Sequence, residues 1–81
     1  MSEVEVVQYQ VGAEYRITRL LTKDRITRNH LIACGFIPGA VLKVKYRLFR
    51  GAYWVIQVHG HTIGMRSSEL KRLKLYNVDT Y

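Results

Sequence analysis

The sequence predicts a mainly β domain: a small barrel of about five to six short antiparallel strands with one short α-helix inserted near the start. Three observations predict it. Apolar residues alternate with polar ones in short runs over most of the chain. A single stretch, around residues 25–34, switches to helical spacing, with Thr27, Leu31 and Cys34 at i, i+4 and i+7. Glycines and the single proline fall between these runs, where the chain has to reverse.

The elements follow in order. Val4 to Gln10 offers a short edge. After Gly12 the run Ala13 to Thr22 sets Tyr15, Ile17 and Arg19 against Arg16, Thr18 and Leu20, which reads as a first strand. Asp24 can accept hydrogen bonds from the first free backbone donors of a helix from Arg25 to Cys34, and Gly35 can close it in a left-handed conformation. Pro38 and Gly39 suit the two central positions of a type II turn, one fixing φ and the other permitting a positive value. Beyond that turn Leu42, Val44, Tyr46 and Leu48 are expected on the inner face of a strand and Lys43, Lys45 and Arg47 on the outer. Phe49 to Ala52 form a hairpin tip, and Trp54, Ile56 and Val58 point inward from the returning strand. Gly60 allows another reversal into His61 to Arg66, with Ile63 and Met65 inward. A one-turn segment from Ser67 leads to a closing strand, Leu73 to Val78. Strands this short leave exposed edges unless the sheet closes on itself, so a closed barrel is expected.

Composition narrows the function. A chain of 81 residues supports one domain with a thin core, so the expected working surface lies outside, with no small-molecule substrate held within. Thirteen Lys and Arg against six Asp and Glu give a net charge of +7, which suits an acidic partner: nucleic acid, an anionic membrane surface or the acidic face of a protein. One cysteine, Cys34, cannot form an internal disulfide, and a reducing cytoplasm is expected. Apolar runs of four or five residues are too short to span a bilayer, and no export signal is read at the start.

Candidate chemistry is sparse. His59 and His61 lie two apart and His30 and Cys34 one helical turn apart. Gly60 is expected to bend the first pair apart, Cys34 to point inward, and no carboxylate stands nearby to orient a ligand, so no metal site is assigned. Cys34 also lacks the electropositive setting that activates a thiol, and no spaced carboxylate pair is present for acid and base roles; an enzyme is not expected. The surface candidates are Phe49, Arg50 and Tyr53 at the tip, which cannot all bury inside their own barrel, with Lys43, Lys45 and Arg47 as a basic line beside them.

Two glycine-centred blocks carry a resemblance. Leu31, Gly35, Phe36, Pro38, Gly39, Val41 and Val44 form the first; Val58, Gly60, Ile63, Gly64, Met65 and Arg66, then Glu69, Leu70, Leu75 and Val78, form the second, and Gly12 falls where a first turn is expected. Over roughly residues 8–78 the chain resembles the FeoA family of bacterial ferrous iron transport. The resemblance implies an SH3-like barrel with an inserted helix, without a cofactor, assisting the membrane transporter FeoB through its cytoplasmic GTPase region, from the cytoplasm or the inner face of the membrane. The partner-binding residues would then be Phe49, Arg50 and Tyr53 as anchors, with Lys43, Lys45 and Arg47 steering. Two readings compete with it. Small basic barrels bind nucleic acid when aromatics are open on one face, but here Trp54 and Tyr46 are expected inward. A metal-responsive barrel like that of iron-dependent repressors would be expected to carry a DNA-binding helical domain as well.

Overall fold

The computed structural model describes residues 9–78. Its elements are β1 (Glu14–Leu20), α1 (Arg25–Ala33), β2 (Val41–Leu48), a 3-10 turn at Phe49–Gly51, β3 (Tyr53–Val58), β4 (His61–Arg66), α2 (Ser67–Leu70) and β5 (Leu73–Asn77). The strands form one sheet in the order β4-β3-β2-β1-β5, antiparallel at every pairing. Of the anticipated N-terminal edge, residues 4–8 lie outside the described residues, and Tyr9 and Gln10 belong to no strand.

The inner face carries the core: Tyr15 and Ile17 of β1, Leu42 and Val44 of β2, Ile56 and Val58 of β3, and Leu75 of β5 are essentially inaccessible. Among the described residues no polar or charged side chain is buried. The two aromatic polar atoms that face inward are satisfied, since Tyr15 Oη accepts from the Gln10 amide at 2.8 Å and Trp54 Nε1 donates to the Gly51 carbonyl at 2.9 Å.

Local chemistry explains the helix. Asp24 caps it, with Oδ1 accepting from the Ile26 amide at 3.2 Å and Oδ2 from the Thr27 hydroxyl. These hydrogen bonds, the Thr27 hydroxyl first, stabilise the carboxylate and hold its pKa below the ordinary value. At the other end Gly35 adopts φ +98°, its amide bonds the Ile32 carbonyl and the Phe36 amide the Leu31 carbonyl, both at 2.9 Å. This is the Schellman pattern, and its usual apolar clasp is made by Phe36 and Leu31, both in the core. Glycine suits that position, because any side chain is strained at this φ and a Cβ would stand 3.0 Å from the His59 ring, which would have to shift. The Pro38-Gly39 reversal is as expected: Gly39 has φ +93° and the Ala40 amide closes the turn on the Ile37 carbonyl at 3.0 Å.

Three expectations need correction. The sheet ladder is not closed by hydrogen bonds: β4 and β5 are both edges, and the chain passes between them through α2, which buries Leu70 completely. Leu70 joins the hydrophobic core from this connection. The second correction is in β1, where the pairing with β5 slips between Ile17 and Arg19, so that Leu20 is buried and Arg19 exposed, the reverse of simple alternation. Thirdly, β2 bulges against β3 between Val44 and Tyr46, with Val44 opposite Ile56 and Tyr46 opposite Val55. The extra residue, Lys45, inverts the phase. Tyr46 and Leu48, expected inside, are 60% and 41% exposed.

Candidate functional site

The bulge decides what the β2–β3 hairpin presents. Residues opposite one another across a ladder share a face. Lys43 pairs with Gln57, Tyr46 with Val55 and Leu48 with Tyr53, and these pairs lie on the outer face; Arg47 pairs with the buried Trp54 and so belongs to the inner side. The basic line of Lys43, Lys45 and Arg47 therefore does not form a single-face stripe. An apolar patch of Tyr46 and Leu48 takes its place and runs toward the tip.

At the tip Phe49, Arg50 and Gly51 adopt positive φ in succession, at 52°, 57° and 92°. For phenylalanine and arginine this left-handed backbone costs energy, which the surroundings must offset. Four hydrogen bonds hold it: Arg47 Nη2 donates to the Arg50 carbonyl at 3.1 Å, Trp54 Nε1 to that of Gly51, the Ala52 amide to that of Phe49 at 3.1 Å, and the Ser67 amide to that of Ala52 at 3.0 Å. The result is a fixed tip that projects Phe49, 78% exposed, into solvent. Tyr53 sits differently from its expected place among the tip residues. It is half-buried, its ring lying across Gly64 of β4 so closely that any Cβ there would overlap it. A second exposed aromatic of the hairpin is Tyr46, 60% exposed, which the two-residue period assigned to the core.

Beneath the tip a cleft of about 350 Å³ is lined by Tyr9, Arg47, Arg50, Gly51, Trp54, Ser67 and Lys71. Tyr9 stands edge-on to Trp54, with ring centroids 5.5 Å apart. A second hollow of about 310 Å³ lies between α1 and α2, where Ile26, 80% exposed, flanks His30, Glu69 and Arg72. His30 Nε2 and Cys34 Sγ approach to 3.9 Å, and Cys34 is half-buried against the core, but among the described residues no group of three His, Cys, Asp or Glu side chains could hold a metal ion. Among the described residues no helix is long and apolar enough to cross a membrane.

The five-stranded antiparallel sheet with its short inserted helix is an SH3-like fold. The FeoA domain family matches residues 4–76, and the chain belongs to that family, which is linked to ferrous iron transport as an accessory domain. Solved structures share the fold. The FeoA-like protein of Clostridium acetobutylicum superposes with a TM-score of 0.81 at 11% identity, covering 100% of this chain and 93% of that one. FeoA of Stenotrophomonas maltophilia, solved with zinc and described as an SH3 domain protein, gives 0.74 at 17% identity, covering 89% and 88%. A manganese-dependent transcriptional repressor gives 0.78 at 12% identity, covering 94% of this chain but 42% of the repressor. At these identities the likeness to solved structures concerns fold alone. No curated protein matches the sequence.

Proposed function

We propose that this chain is a non-enzymatic accessory module of ferrous iron uptake that docks on the cytoplasmic region of the FeoB transporter through its β2–β3 hairpin. The observation that carries the reading is Phe49: a large aromatic, 78% exposed, on a backbone that is strained and held in place by its neighbours. A structure keeps strain of this kind where the side chain it presents has a use. Phe49 is the central anchor; Tyr46 and Leu48 extend the apolar area, and Arg50 adds a charge at its edge, a composition enriched at protein interfaces. Tyr53 shapes this surface by packing on Gly64, and Lys43 and Lys45 supply attraction at longer range.

A tagged copy of the protein, incubated with membranes, is expected to recover the transporter. Phe49→Ala combined with Arg50→Glu should lower recovery and iron uptake at least about tenfold, the loss of one to two anchor residues, with little change in melting temperature because both side chains are exposed. Unchanged recovery would remove the tip from the interface. The exposure of Tyr46 also removes one reason for setting nucleic acid aside, so a labelled single-stranded oligonucleotide belongs in the same series. Submicromolar binding with a steep salt slope would favour that alternative.

A further inference from the structure

We infer that the cleft behind the hairpin tip receives an acidic side chain from an extended segment of a protein partner. The inference rests on the docking reading above and specifies the chemistry that the surface recognises. Three cationic side chains converge on the cleft from separate places in the chain: Arg47 from the end of β2, Arg50 from the tip and Lys71 from just beyond α2. Among the described residues no carboxylate lines it. Arg47 is partly fixed by the bond from Nη2 to the Arg50 carbonyl, which leaves the remaining guanidinium donors for an oxyanion in a pre-set orientation.

The shape and the walls select among anions. A volume of about 350 Å³ corresponds to roughly twelve waters at about 30 Å³ each, several times what one carboxylate or phosphate needs. A lone inorganic ion would leave most of the cleft to water. A nucleotide would use such space by stacking its base, but Trp54 is 6% exposed, its indole N–H is already given to Gly51 and the Tyr9 ring stands edge-on to it, so the indole offers no open face. Phe49, exposed next to the cleft-lining Arg50 on the same turn, matches an apolar neighbour on the same segment. A short stretch of polypeptide carrying a carboxylate flanked by an apolar residue meets all of these features.

Trp54 is the only tryptophan of the chain and forms a wall of the cleft, so its emission reports occupancy. The full chain is titrated with the acetylated peptide Glu-Glu-Phe-Glu-Glu, with its Gln-Gln-Phe-Gln-Gln counterpart, with inorganic phosphate and with vesicles containing phosphatidylglycerol. A saturable change with the acidic peptide is expected, at least about tenfold weaker for the glutamine peptide and for an Arg50→Gln, Lys71→Gln variant. That variant alters two exposed side chains and should melt as the parent does. Phosphate acting at the same concentration as the peptide would make the cleft a small-ion site, and a response confined to vesicles would make it a headgroup site; either overturns the inference, as does no response at all. Loss of the peptide response alongside a tip variant that still abolishes transporter recovery would remove the cleft and leave the docking surface standing.

Discussion

At the scale of single residues, Asp24 has a measurable pH signature. Its carboxylate accepts from the Thr27 hydroxyl and the Ile26 amide, and the pKa is lowered in the folded state. A lowered folded value means that the group stabilises the fold fully above its unfolded pKa of about 3.9 and loses that contribution as pH falls through the folded value. Asp24→Ala should therefore lower the melting temperature at pH 7, and the gap between variant and parent should narrow on titration from about pH 5 to about pH 2. A gap independent of pH would mean that the ionised cap does not contribute. The cap was legible in the sequence because capping is local: an aspartate directly before a helical period can bond only its near neighbours. Phe49 was legible for a related reason, since a tip residue lacks a core to enter. Tyr46 was not. Its neighbours alternate faultlessly in sequence, and nothing within four residues signals that Lys45 is the extra residue of a bulge.

At the scale of elements, the two bulges account for most of what alternation misread. Each is a shift in pairing between strands, set by how the sheet must twist and coil, and each leaves no mark in either strand's own pattern. The exchange of Arg19 for Leu20 at the core and the exposure of Tyr46 and Leu48 have this one cause. The hairpin tip allows the proposed docking role to be tested against the same geometry. Arg50 sits at φ 57° and ψ 31°, a conformation that glycine adopts without cost. Arg50→Gly should then leave the fold as stable or more stable, by up to about 1 kcal/mol, since the Arg47 bond is to the backbone carbonyl and survives the change. The same substitution should weaken recovery of the transporter, because it removes a cation from both rim and cleft. Stability gained together with binding lost, measured by thermal melting and by pull-down, would separate strain kept for binding from strain that merely accompanies a tight turn. A variant that melts earlier would show that the side chain itself supports the tip.

At the scale of the whole molecule, the proposed docking would divide the work of association between the net charge of +7 and the apolar tip. Charge acts over about a Debye length and raises the rate of encounter, whereas a buried aromatic anchor slows departure. Lys43 and Lys45 stand on β2 away from the tip, so they fall on the encounter side of this division, and Phe49 falls on the other. Changing both lysines to glutamine should reduce the association rate with the transporter's cytoplasmic region several-fold at about 50 mM salt and leave the dissociation rate unchanged; the difference should fade by about 0.5 M, where the Debye length is only a few ångströms. Phe49→Ala should do the converse, speeding dissociation at every salt concentration with little effect on the approach. The composition alone justified expecting the first behaviour, and the position of a single exposed ring on a fixed turn is what adds the second. If the lysine variant instead dissociated faster at high salt, those side chains would be inside the contact, and the interface would have to extend along β2 toward the centre of the sheet.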